Sequence, residues 1–297
     1  MSPAWGIMAA PSGERSAVLH VTYEDGDGRV VVLDSLTHVD ARVTPRDVVV
    51  AGSFAGAPAF GWALERGVRG LVAHEAGVGR DGAGISGLLL ADRLGIPAAA
   101  VAAQSARLGD GKNVHDDGVV TYLNQAARAL GVNAGDAAWR AARAMLKAPP
   151  GVASTQTLVD RQPRVVIESP TGRVVLLASM GFATLEHRHD VLCAGSHAGR
   201  VNVQHLLHVR PRGAVFNDGG LARDRSGVGG LPLLDAVGVA AAAVSSVSAR
   251  IGDPASTWED GVISFVNATA RRLGVGPGQR ASAAALLILE RAGARRG

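Results

Sequence analysis

The segment from Gly52 to Gly135 is written twice in this chain. Shifted by 143 residues it becomes Gly195 to Gly278, and 36 of the 84 aligned positions are identical without a gap. Gly52-Ser53 returns as Gly195-Ser196, Asp81 as Asp224, Arg107 as Arg250, Asp110 as Asp253 and Asn124 as Asn267. A sequence that carries one plan twice is confined to folds in which two like units pack together. The Pro149-Pro150-Gly151 run cannot continue a helix and marks the linker. Residues 1–148 and 149–297 are therefore read as an N-terminal and a C-terminal repeat.

Inside each repeat the pattern is strand, loop, helix, three times over. Asp47 to Ala51 and Arg29 to Leu33 are β-branched runs, so strands. Ala57 to Arg66 reads as a helix closed by Gly67, Ile85 to Leu94 as a helix closed by Gly95, and Val119 to Leu130 as a helix closed by Gly131. Asp117 and Asp260 stand where N-caps of the third helices would be, and Asn124 and Asn267 fall inside those helices. Asp136 to Lys147 and Ala281 to Ala292 read as one further helix per repeat. Short apolar strands that alternate with helices indicate a mainly parallel sheet covered on both faces, with a swivelling β/β/α arrangement as the alternative. The expected fold is α/β: two internally repeated three-layer units related by a pseudo-two-fold axis.

Composition sets limits on partners. With 47% hydrophobic and 19% charged residues over 297 positions, the chain can build two cores. A net charge of +4 with scattered basic residues does not make the clustered basic face that nucleic acid requires. No stretch reaches the ~20 apolar residues of a membrane span, and the N-terminus carries no signal-peptide pattern, so the cytoplasm is the expected location. The single Cys193 excludes an internal disulfide and reads as a buried strand residue. The sequence does not decide between a monomer and a homo-oligomer.

Three repeated loops fall at strand C-terminal ends, on the sheet edge where open α/β sheets bind ligands. The first, Gly-Ser-X-Ala-Gly, holds Gly52 and Ser53 in one repeat and Gly195, Ser196 and Gly199 in the other. Its glycines would let backbone N–H groups approach an anion at a helix start, with Ser53 and Ser196 as donors; a tight turn with a capping serine is the alternative. His197 stands where the first repeat has Phe54, and an imidazole beside Ser196 offers an acid or a base. The second loop carries Glu75 and Asp218 at one position, as general bases or metal ligands, with Arg80-Asp81 and Arg223-Asp224 following. His74 faces Asn217 across the repeat as a second asymmetry. In the third loop, Arg107 and Arg250 are either carboxylate clamps or partners of the aspartate three residues on. His74, Glu75 and Asp218 would form a divalent metal site only if the repeats face each other; no other cofactor is indicated.

Taken together, the Gly-Ser-His-X-Gly and Ser-Ala-Arg-Ile-Gly-Asp loops resemble those of duplicated bacterial α/β proteins of unassigned function, a resemblance that implies no activity. Ser196-His197 also resembles the Thr-Ser-His start of swivelling phosphohistidine domains, which would imply a phosphate-carrying imidazole; here Ala194-Gly195 precede the pair and the threonine is missing. The residue inventory leads to an enzyme acting on a small carboxylate-bearing metabolite by hydrolysis or proton abstraction. His197, Ser196, Glu75, Asp218 and His74 would be its catalytic candidates. Ser53, Gly52, Gly195, Gly199, Arg107, Arg250, Asp81 and Asp224 would bind the substrate. The alternative is a ligand-binding or assembly protein that uses the duplication without catalysis.

Overall fold

The computed structural model describes residues 18–293. The first unit contains β1 (His20–Glu24), β2 (Arg29–Leu33), β3 (Asp47–Phe54), α1 (Ala57–Leu64), β4 (Gly70–His74), α2 (Gly87–Arg93), β5 (Ala98–Val101), α3 (Gly111–Asp117), β6 (Val120–Leu123), α4 (Gln125–Ala129) and α5 (Ala138–Met145). The second contains β7 (Arg164–Ser169), β8 (Gly172–Leu177), β9 (Val191–His197), α6 (Arg200–Gln204), α7 (Leu206–Val209), β10 (Gly213–Asn217), α8 (Leu231–Ala236), β11 (Ala240–Val244), α9 (Pro254–Asp260), β12 (Ile263–Val266), α10 (Ala268–Arg272) and α11 (Ala281–Gly293). Each unit is a six-stranded sheet whose spatial order follows the chain. The inner strands are parallel and the outermost strand on each side is antiparallel.

Helices cover both faces of each sheet, so the units have three layers. In the first, Phe60 and Leu64 of α1 and Leu88 of α2 pack on one face. Val114 of α3, Ala127 of α4 and Ala138, Ala142 and Met145 of α5 pack on the other. The second unit repeats this with α6 to α8 on one face and α9 to α11 on the other. Sequential strand order puts the two crossover helices α1 and α2 on the same face. It also leaves no point where the order reverses, so neither sheet opens a crevice of its own.

The third helix of each repeat is where the sequence reading needs correction. Val120 to Leu123 is strand β6, and Asn124 is the N-cap of α4 rather than an interior residue, its side chain accepting from the Ala127 N–H. A run of Val, Val, Thr and Tyr fits a pleated edge better than a helix. Asn124 Oδ1 also accepts from the Ala98 N–H, and Nδ2 donates to the Ile96 carbonyl, so this one amide joins helix to sheet. Between the third loop and β6 the chain forms α3, capped by Asp110 at 2.9 Å from the Asn113 N–H. Asp117 is therefore its last residue and not a cap; Asp253 and Asp260 repeat this around α9.

Each sheet is pinned at its base by a buried carboxylate. Asp47 is fully buried and accepts from Arg29 Nε and Nη2 at 2.9 and 2.7 Å, and from the Thr44 N–H at 2.8 Å. Asp190 holds Arg173 the same way at 3.0 and 2.7 Å. Removing one member of such a pair strands the other, so Asp47→Ala should cost about 3 kcal/mol. The exposed Asp40–Arg42 pair is a control, and Asp40→Ala should cost no more than about 1 kcal/mol. Urea unfolding of both variants checks this; equal costs would show that the Arg29–Asp47 contact does not anchor the strand.

Candidate functional site

The loops at the strand ends meet across the pseudo-two-fold axis. Gly77 and Gly220, equivalent in the repeat, are so close on it that a Cβ added to either would lie within 3 Å of the other's Cα. Around them the contacts are reciprocal. The Arg80 N–H donates to the Ser246 carbonyl and the Arg223 N–H to the Ala103 carbonyl, at 2.8 and 2.9 Å. Arg80 Nη1 donates to the Ser248 carbonyl and Arg223 Nη1 to the Ser105 carbonyl, and these guanidiniums also pair with Asp260 and Asp117. The edge that would bind ligands in an open sheet is used here to join the units.

Most of the sequence candidates serve that junction. Arg107 pairs with Asp110 at 3.0 Å and across the axis with Asp224 at 3.4 Å. Arg250 pairs with Asp253 at 3.0 Å and with Asp81 at 3.2 Å. The arginines are thus held by carboxylates from both units, and these hydrogen bonds raise their pKa further. Glu75 accepts from the Ala103 N–H and Thr121 Oγ1; Asp218 accepts from the Gly220 and Ser246 N–H groups and Ser264 Oγ. Both acids tie the second loop to the third. His74 is fully buried, with Nδ1 accepting from the Ala76 N–H and Nε2 bonded to the Ala106 carbonyl. Asn217 makes the same two contacts, to the Gly219 N–H and the Ala249 carbonyl. The His74–Asn217 asymmetry is therefore a change of shape without a change of hydrogen bonding. Among the described residues no group of three or more His, Cys, Asp or Glu side chains is placed to hold a metal.

Ser53 and Ser196 sit in β3 and β9, not at helix starts; the N-caps are Gly56 and Gly199. The reason lies in the glycines. A Cβ on Gly52 would meet the Asp110 nitrogen at 2.5 Å, and one on Gly195 the Gly252 carbonyl carbon at 2.4 Å. Gly109 and Gly252 donate to the carbonyls of Gly52 and Gly195. The glycines thus admit the third loop, not an anion. A Cβ on Gly199 would touch the His197 ring at 2.6 Å, and one on Gly56 the Phe54 ring at 2.4 Å.

What remains is a small chamber on the axis. It measures about 40 Å³ and is lined by Ser35, Ser53 and Phe54 from one unit and Ser179, Ser196 and His197 from the other. An outer recess of about 180 Å³ shares Ser35, Thr37, Trp62, Ser179, Phe182 and Asn202 with it. Trp62 and Phe182 stack across the units at 5.7 Å where the two volumes meet. Ser35, Thr37, Trp62, Ser179, Phe182 and Asn202 were not singled out in the sequence. Ser35 and Ser179 could have been found, because both precede a short 3-10 turn and recur at 144 residues, one more than the main repeat. A larger groove of about 890 Å³ lies alongside, where Arg107 and Lys112 face Asp110, Asp224 and Asp116 and Arg200 also lines the wall.

His197 is 3% exposed. Its Nδ1 accepts from the Gly199 N–H at 3.0 Å, which places the ring proton on Nε2. Nε2 has no partner among the described residues, and it is not sealed in: the one fully enclosed polar side-chain atom without a partner there is Arg69 Nε. His197 is one of the residues that line the chamber. Burial, reinforced by nearby His74, pushes the imidazole pKa down to about 3, so the ring is neutral at physiological pH. Ser53 Oγ accepts from the Leu36 N–H at 2.8 Å and Ser196 Oγ from the Met180 N–H at 3.4 Å, which leaves both O–H protons to donate. Cys193, four residues earlier in β9, is fully buried and its thiol is pushed up to about 12. Among the described residues no helix is long and apolar enough to cross a membrane. No family model, no curated protein and no solved structure matches this chain.

Proposed function

We propose that this protein binds a small ligand in the chamber on its pseudo-two-fold axis, with His197, Ser53 and Ser196 as hydrogen-bond donors. The observation that supports this reading is the unpartnered Nε2–H of a buried imidazole. Among the described residues its N–H has no protein acceptor and, with the free Ser53 and Ser196 hydroxyls, can donate to a ligand oxygen that takes the place of water. The arginines and acids of these loops are instead paired with one another or with backbone groups. The same ring is poorly suited to acid–base catalysis, because a group with a pKa near 3 does not take up a proton at neutral pH. The reading therefore favours binding over the hydrolase or proton-abstraction activity that the residue inventory suggests.

His197→Phe tests it, since Phe54 already occupies the equivalent position. Native mass spectrometry of the gently purified protein should detect a small molecule on the wild type. The variant should unfold within about 1 kcal/mol of the wild type at neutral pH and carry none of it. Loading that survives in the variant, or a wild type with neither a bound mass nor density in the chamber after crystals are soaked in acetamide, would overturn the proposal.

A further inference from the structure

The chamber also constrains the charge of what it accepts. Among the described residues, no Asp, Glu, Lys or Arg lines it or the recess outside it. The polar side chains of the chamber are neutral: the His197 N–H, the Ser53, Ser179 and Ser196 hydroxyls, the Ser35–Thr37 hydroxyl pair at 2.8 Å and the Asn202 amide, while His38 and His205 line only the outer recess. Asn202 Nδ2 donates to the His197 carbonyl at 3.0 Å, so its Oδ1 is directed away from that bond and can accept. The rest of the wall is apolar, with Leu36, Phe54, Pro58, Trp62 and Phe182. The arginines that looked like carboxylate clamps are engaged by Asp81, Asp110, Asp224 and Asp253.

An ionised carboxylate entering the inner chamber would give up its hydration with no cation among the lining residues, which is strongly unfavourable. A neutral carbonyl group gives up far less and needs what the wall offers, several N–H and O–H donors for one oxygen. An amide nitrogen beside it would find Asn202 Oδ1. We infer that the chamber takes an uncharged small molecule carrying a carbonyl group, a carboxamide being the best match, and does not take a carboxylate. The inference rests on the ligand-binding reading above and narrows it; it also departs from the anionic metabolite that the sequence suggests.

Acetamide and acetate form a matched pair, nearly equal in shape and different in charge. Each is titrated at pH 7 into the intact protein with ¹⁵N-labelled histidine, following the His197 Nε2 resonance. Acetamide should shift it saturably, and more tightly than acetate by a factor of about ten or more. The same titration of Gly181→Asp, which places a carboxylate on the outer recess where an added Cβ meets only Ser179 Oγ at 3.6 Å, should leave acetamide bound and weaken acetate further. If acetate binds as tightly as acetamide or more so, the charge inference is wrong while the binding site stands. If neither moves the resonance, the inference and the site fall together.

Discussion

Gly195→Ala should destabilise the protein by about 3 kcal/mol or more, enough to leave little folded material in a marginal background. The added methyl would stand 2.4 Å from the Gly252 carbonyl carbon and 2.7 Å from the Asp253 nitrogen. Both are backbone atoms, so no side chain can swing aside. They belong to the loop that holds Arg250, whose pairs with Asp253 and Asp81 would have to shift with it. Gly52→Ala should behave alike, with 2.5 Å to the Asp110 nitrogen. Gly276→Ala is the control, because nothing lies within 4 Å of its Cβ position and its φ is ordinary. Denaturant midpoints for the three variants decide the matter. A Gly195→Ala protein as stable as Gly276→Ala would mean that the third loop does not pack against the first as described.

Acid should weaken the fold through the buried imidazoles. His197 is neutral when folded, with a pKa near 3, and titrates near the ordinary value of 6.5 when unfolded. Between those values the unfolded chain binds more protons, so stability rises with pH there. The full contribution is present above about pH 6.5 and is lost as pH falls, by up to about 1.4 kcal/mol per pH unit. His74, lowered mainly by its own burial, acts in the same direction. His197→Phe removes one of the two groups. The difference in unfolding free energy between wild type and variant should therefore slope with pH below about 6.5 and be flat above it. Parallel profiles from neutral pH to about pH 4 would show that His197 is not a neutral buried group, and the donor role at the chamber would go with it.

The duplication and the strand–loop–helix order were legible because they rest on periodicity and on glycine punctuation, both local. The short strand at Val120–Leu123 was not, because an apolar run that ends in Asn can be read with either period until its neighbours are known. Here β5 supplies the partner. The fate of the loops was hidden for a different reason. A repeat shows that Arg107 and Arg250 are equivalent, but not that each lies beside the other unit's aspartate. A contact between units joins residues of different loops and leaves no trace in the alignment of like with like.

The two asymmetries looked alike in the sequence and differ in substance. His and Asn both place an acceptor and a donor on opposite sides of a short planar group, so His74 and Asn217 can make equivalent contacts. Phe and His do not share that chemistry. Phe54 lies against Gly252 and His197 against Gly109, so the two rings hold equivalent places, but only the imidazole has an N–H to donate. Comparing donors and acceptors, rather than residue names, would have separated the two cases from sequence alone.

The placement of Phe54 and His197 on either side of the axis has a consequence for how such a chamber can change. In an assembly of two identical chains every mutation near the symmetry axis occurs twice, and the chamber can only be redesigned in matched pairs. Joining the copies in one chain removes that coupling. One wall can gain a polar group while the opposite wall keeps its aromatic ring, and Trp62 can meet Phe182 while the equivalent positions hold His205 and His38. Covalent fusion thus turns a symmetric hollow into an addressable one, in which the two faces of a bound molecule can be met by different chemistry.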